Sequence, residues 1–277
     1  MGAGAGGLGI IGLLIVGAIK LLGGDVVTSD DPSSQGQTQR QAPGAQPHAG
    51  PEGAKVSGSC EGVTSATDQG KFIACVETNV QSFWTRELPQ MNGAYHPARL
   101  VLFTEATPSG CGEASAATGP FYCPPDQKVY LDLGFFDELH RRFHAKGGDF
   151  AEAYVVAHEY GHHVQKLLGI EGRMREAERA HPSDRNALSV RLELQADCFA
   201  GVWGHSAYEK GKVASDEIAQ ALDAAASVGD DRIQKQMRGR VNPESFTHGS
   251  AAERQKWFET GMDGGDPKRC DTFSGQL

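Results

Sequence analysis

His158-Glu159-Tyr160-Gly161-His162 sets two imidazoles four residues apart with a carboxylate beside the first. On an α-helix, residues four apart share a face, so both imidazoles reach one ion while Glu159, one step round, flanks a water at that ion. A hydrolytic zinc site uses three protein ligands and keeps one position open. The spacing H-E-x-x-H-x-x-G-x-x-H is excluded as the source of the third, because Gln165 stands where its glycine would and Leu168 where its last histidine would. Downstream, Glu193 and Asp197 lie four apart among Leu192, Leu194, Ala196, Phe199 and Ala200. Carboxylates in such a helix need partners once buried. Glu193 is the candidate third ligand of one Zn2+ ion, and Asp197, one turn on, is placed to accept the far N–H of a ligand histidine. The alternatives are a surface pair of histidines and an exposed acidic face, which the apolar neighbours make hard to arrange.

His163 lies about 140° round the helix from His158, at roughly 100° per residue, and faces elsewhere. His140, His144, His181 and His205 stand alone and receive no role, and Asp230-Asp231 reads as a solvated turn or a helix cap. A zinc ion would lower the pKa of a bound water, with Glu159 as general base for attack on a peptide carbonyl. The oxyanion then needs a further donor. His248, in Phe246-Thr247-His248-Gly249-Ser250 just before a predicted helix, is the candidate.

Elements that position these residues are legible around them. Gly147-Gly148-Asp149 supplies a break and an N-cap for a helix over Phe150–Leu168 that Gly169 closes. Further helices are predicted at Lys71–Leu88, Phe135–His144, Asp184–Glu209, Ser215–Ser227 and Ser250–Thr260. Two strand-like runs, Arg99–Thr104 and Lys128–Leu133, flank a Gly/Pro/Ser-rich loop that holds Cys111 and Cys123. The fold class is α+β, mostly α.

The N-terminal fifth differs in kind. Leu8 to Ile19 carries no charge and the apolar run continues past Lys20 to Leu22, so residues 1–24 read as a transmembrane anchor. Residues 25–57, rich in Gln, Pro, Gly and Ser, read as a disordered linker, and 58–277 as the catalytic domain. A net charge of −9 over 277 residues, without a basic stripe, argues against a nucleic-acid partner.

From about Lys71 onward the chain resembles the membrane-anchored neutral zinc metallopeptidases of bacteria, through GPFYCPPDQKVYLD, AHEYGHHVQ, RLELQADCFAGVW, GDDRIQKQ and FTHGSAAERQKWF. That family is similar in turn to gluzincin membrane proteases, which combine H-E-x-x-H with E-x-x-x-D. The resemblance implies a zincin-like domain with a small β-sheet, Glu193 as third ligand, Asp197 behind a ligand histidine, and a transition-state role for His248. Lys128–Leu133 is then expected to be an edge strand on which an extended peptide lies.

Six cysteines allow fifteen pairings. Those expected are Cys111–Cys123, Cys198–Cys270 and Cys60–Cys75, which call for an oxidising compartment and place the domain outside the cytoplasmic membrane. The function expected is zinc-dependent endopeptidase action on protein or peptide substrates. The rivals are a zinc-binding module without catalysis, which would have no need of Glu159, and a hydrolase of non-peptide amides.

Overall fold

The computed structural model describes residues 59–115, 118–137 and 148–273. The expected anchor and linker lie outside the described residues, as does the predicted helix Phe135–His144 beyond residue 137. No described helix is long and apolar enough to cross a membrane. The described chain is mostly helical with a small sheet.

Helix α1 (Ser65–Glu87) turns Phe72, Ile73, Val76, Val80, Phe83 and Trp84 into the core. Its backbone leaves helical geometry at Asp68, so the regular part begins about where the apolar spacing does. After it come β1 (Arg99–Phe103), the hairpin β2 (Ala106–Ser109) and β3 (Gly112–Ser115), then β4 (Phe121–Cys123) and β5 (Lys128–Asp132). The main sheet has the order β1-β5-β4, with β5 parallel to β1 and antiparallel to β4.

This order corrects the expectation for Lys128–Leu133. Both sides of β5 are taken by neighbours, so it cannot accept a further strand. The edge beside the helices is β4, which three residues inside a Gly/Pro-rich loop are too few to reveal by periodicity.

The remaining helices are α2 (Asp149–Leu167), α3 (Ile170–Ala180), α4 (Arg185–Glu209), α5 (Ser215–Ser227), α6 (Asp230–Arg238) and α7 (Ala251–Met262). Helices α3 and α6 escape the sequence reading because they are short, strongly charged and bury few residues. Asp149 is the first residue of α2 rather than its cap. The cap position falls on Gly148 at φ 144°, and Asp149 instead accepts hydrogen bonds from Ser65 N (3.0 Å) and Oγ (2.7 Å), joining the starts of α1 and α2.

Helix α4 runs through the middle of the molecule and packs on both α2 and α7. Its approach to α2 is close at Gly161, where a Cβ would stand 3.0 Å from Ala196 O. The approach to α7 is closer, since a Cβ on Gly201 would lie 2.1 Å from Phe258 O and one on Gly261 2.0 Å from Cys198 O. Glycine at these crossings lets the backbones touch, which brings short side chains on facing helices within bonding reach.

Disulfides join Cys60 to Cys75, Cys111 to Cys123 and Cys198 to Cys270. The second ties the β2–β3 hairpin to β4, and the third ties α4 to the C-terminal segment. That segment runs back along α4, where Arg191 and Thr272 exchange hydrogen bonds and Phe273 packs with Leu188 and Leu192.

Candidate metal centre

His158 and His162 project from one face of α2, as residues four apart must, and Glu193 meets them from α4. Glu193 Oε2 lies 3.3 Å from His158 Nε2, and its Oε1 lies 3.5 Å from His162 Nε2. The three donor atoms fall within 4.8 Å of one another. Zinc bonds of ~2.0–2.2 Å at tetrahedral angles put donor atoms roughly 3.3–3.6 Å apart, and both carboxylate–imidazole distances fall in that range. Burial agrees: His158 Nε2 and Glu193 Oε2 are inaccessible to solvent and make no hydrogen bond, which leaves two buried polar atoms without partners. His162 is the half-buried member of the set and marks its open side.

The charges of the three side chains suit a cation among them. Burial acts against ionisation of Glu193, but the neighbouring imidazoles outweigh it and hold the carboxyl well below its ordinary value. Burial likewise disfavours protonated His158, yet Asp197 overcomes it and raises the imidazole to about 9. Binding a cation therefore displaces protons, and affinity must fall as pH drops.

Glu159 is also buried, with Oε2 unpartnered. Burial raises its pKa, while His158 and His162 and the backbone of Tyr122 pull it back. Tyr122 is the middle residue of β4, so the side of this edge strand not paired with β5 faces Glu159.

Asp197 takes its place behind His158, with Oδ1 2.8 Å from Nδ1. It is fully buried and does not act alone. Arg254 of α7 reaches it with two nitrogens, Nε to Oδ2 at 2.8 Å and Nη2 to Oδ1 at 2.9 Å, and Tyr154 donates its hydroxyl to Oδ1 at 2.5 Å. Burial would raise Asp197, but Arg254 and then His158 dominate and draw it down to about 2.

Sequence reasoning passed over Arg254 and Tyr154, although each left a signal. Tyr154 precedes His158 by one turn on the same face, and Arg254 interrupts the buried stripe Ala251, Arg254, Phe258, Gly261 of α7.

His248 lies just before α7 with Nε2 buried and unpartnered. Its Nδ1 is 3.1 Å from Thr247 Oγ1 and 3.4 Å from Asp230 Oδ1. Asp230 is not a solvated residue: it is 1% exposed, and its Oδ2 accepts the backbone N–H groups of Thr247, His248 and Gly249. Asp231 is no N-cap either, since that of α6 is Gly229 and that of α7 Ser250, but its Oδ1 accepts Ala251 N at the start of α7. The 247–249 loop is thus shaped around one buried carboxylate, contributed from the start of α6. Nothing local in the sequence signals that meeting.

His163 points away from the three candidate ligands, with Nε2 2.6 Å from His96 O and Nδ1 3.0 Å from the Tyr122 hydroxyl. The carbonyl can only accept, so Nε2 carries the proton and the tyrosine donates to Nδ1, fastening β4 to α2.

The model of the family described as "Putative neutral zinc metallopeptidase" matches residues 1–273. The chain is 47% identical over 207 residues to "Uncharacterized protein YpfJ" of Escherichia coli strain K12, covering 74% of this chain and 72% of that relative. It is 46% identical over 224 residues to "Uncharacterized protein Rv2575" of Mycobacterium tuberculosis strain H37Rv, covering 76% of this chain and 74% of that relative. No solved structure matches.

Proposed function

Since the chain belongs to the neutral zinc metallopeptidase family, we propose that it is a zinc-dependent endopeptidase of zincin-like architecture, with His158, His162 and Glu193 as ligands and Glu159 as general base. The observation that carries this reading is the pair of buried, unpartnered atoms His158 Nε2 and Glu193 Oε2 only 3.3 Å apart, beside the unpartnered Oε2 of Glu159. A site that kept zinc only for structure would usually be closed by a fourth protein ligand and would not bury a free carboxylate next to it.

Zinc held there supplies Lewis acidity, which acidifies water and polarises a carbonyl. The chain's own groups do the rest. The Glu159 carboxylate takes the proton of the attacking water and returns it to the leaving amine. His248 Nε2 faces the developing oxyanion, with Thr247 hydrogen-bonded to the other ring nitrogen and the Asp230 carboxylate beside it. An extended substrate lies along the side of β4 that no described strand pairs, where the strand's backbone runs past Glu159.

The test joins zinc content by elemental analysis to cleavage of casein. Wild-type protein is expected to hold one zinc and to cleave; Glu193→Ala is expected to lose most of its zinc and its activity together. His248→Ala should keep its zinc and lose about 10²–10³-fold in kcat. Full zinc occupancy in Glu193→Ala refutes the ligand set, and an unchanged kcat in His248→Ala refutes the oxyanion role.

The same reading places the domain outside the cytoplasm, tethered by the apolar run that begins at Leu8. Its support is the three disulfides, which persist in oxidising compartments. Protease added to intact spheroplasts should therefore digest the domain. Protection equal to that of a cytoplasmic marker would rule the placement out.

A further inference from the structure

The two imidazoles are held from behind by different chemistry. His158 leans on the Asp197 carboxylate, whereas His162 Nδ1 lies 2.9 Å from the amide oxygen of Gln165. An amide has one accepting end and one donating end, and the end that faces His162 decides which ring nitrogen carries the proton.

Two backbone carbonyls decide it, because a carbonyl can only accept. Gln165 Nε2 lies 2.7 Å from Leu192 O, so the donating end points at α4 and the oxygen at His162. The same NH2 group donates to Gln195 Oε1 at 3.1 Å, and Gln195 is turned that way because its own Nε2 donates to Cys270 O at 2.8 Å. Each group therefore donates to the next, from an Nδ1–H on His162 through Gln165 and Gln195 to the Cys270 carbonyl, which leaves the His162 Nε2 lone pair facing Glu193. Gln165 and Gln195 are 1% and 5% exposed, so bulk water does not compete for these bonds.

We propose that Gln165 and Gln195 are positioning residues that fix the tautomer and orientation of His162 for zinc, with the Cys198–Cys270 disulfide holding the terminal carbonyl against α4. This rests on the metal-centre reading above. It also accounts for an amide where a carboxylate could stand. Glu159, Glu193 and Asp197 already bury three acids around the site, and an amide behind His162 adds no further buried charge.

The experiment measures zinc affinity by chelator competition, the visible spectrum of the cobalt-substituted protein, and the urea midpoint, on wild type, three variants and a His162→Ala reference that lacks the ligand. Gln165→Leu removes the acceptor and is expected to weaken zinc about 10–100-fold and to shift the cobalt bands. Gln165→Glu keeps an acceptor for Nδ1–H and should recover most of the affinity. Its urea midpoint should still fall, because a carboxylate cannot donate to Leu192 O and Gln195 Oε1. Gln195→Leu should weaken zinc by a smaller factor.

Should Gln165→Leu unfold more easily yet keep wild-type zinc affinity and cobalt spectrum, the residue is structural and the proposal is overturned. If Gln165→Leu does not fold, Gln165→Glu and Gln195→Leu decide: wild-type affinity in Gln195→Leu, or affinity no better in Gln165→Glu than in wild type stripped of His162 by His162→Ala, overturns it. A wild type that binds no zinc overturns the metal-centre reading itself, before any variant is compared.

Discussion

Glu159→Gln is expected to lower kcat by about 10²–10⁴-fold while the protein keeps its zinc. The substitution preserves volume and removes the base. Glu159 is buried with one oxygen unpartnered, and it is not among the three donors that face one another, so metal retention and proton transfer are separable at this residue. Burial raises its pKa and the two imidazoles lower it, which leaves a carboxylate able both to take a proton from water and to give it up. The measurement is steady-state cleavage of a peptide alongside elemental analysis of the same sample. A variant with full zinc and undiminished kcat would remove Glu159 from the mechanism. A variant that lost zinc would mean that the carboxylate helps to hold the ion.

Arg254→Met is expected to destabilise the metal-free protein by about 3–5 kcal/mol, among the largest effects a single substitution here should have. Methionine can fill much of the space of the arginine stem, so the cause is the charge left behind on Asp197. That carboxylate is fully buried, and two of its hydrogen bonds come from the guanidinium. Without it, Tyr154 and His158 alone must support the ion in a site closed to water.

The pH dependence has a definite sign. Asp197 is drawn from the ordinary 3.8 to about 2, so its stabilisation is complete above 3.8 and is lost as pH falls through about 2. The gap between wild type and Arg254→Met should therefore close in acid. Replacing both partners, Arg254→Met with Asp197→Leu, should recover much of the stability while zinc affinity stays low, because His158 then lacks its acceptor. Urea unfolding of the three proteins at neutral and acid pH provides the measurement; a loss below about 1 kcal/mol in Arg254→Met would show that Asp197 is neutralised by another route.

What could be read from the chain was whatever repeats within a few residues. Helical spacing put His158 and His162 on one face and put Glu159 beside them, and the apolar neighbours of Glu193 and Asp197 announced acids that would be buried. The long helices followed from the same periodicity, since α4 and α5 agree with the predicted ranges to within a residue at each end. Signals shorter than a period were lost. β4 has three residues, and α6 is a charged helix of nine that buries only Asp230.

Other features lay beyond any local pattern because they are meetings between distant segments. Arg254 reaches Asp197 across 57 positions, Gln195 reaches the Cys270 carbonyl across 75, and Asp230 gathers the loop that carries His248 from 17 to 19 residues away. The central place of β5 is of the same kind, set by partners on both sides rather than by its own residues. The sequence by itself determined which side chains could bind a metal and move a proton, because helix geometry converts spacing into direction. Only the tertiary structure decided what stands behind each of them, because burial makes every polar atom find a partner, and the close crossings at Gly161, Gly201 and Gly261 determine which partners are within reach.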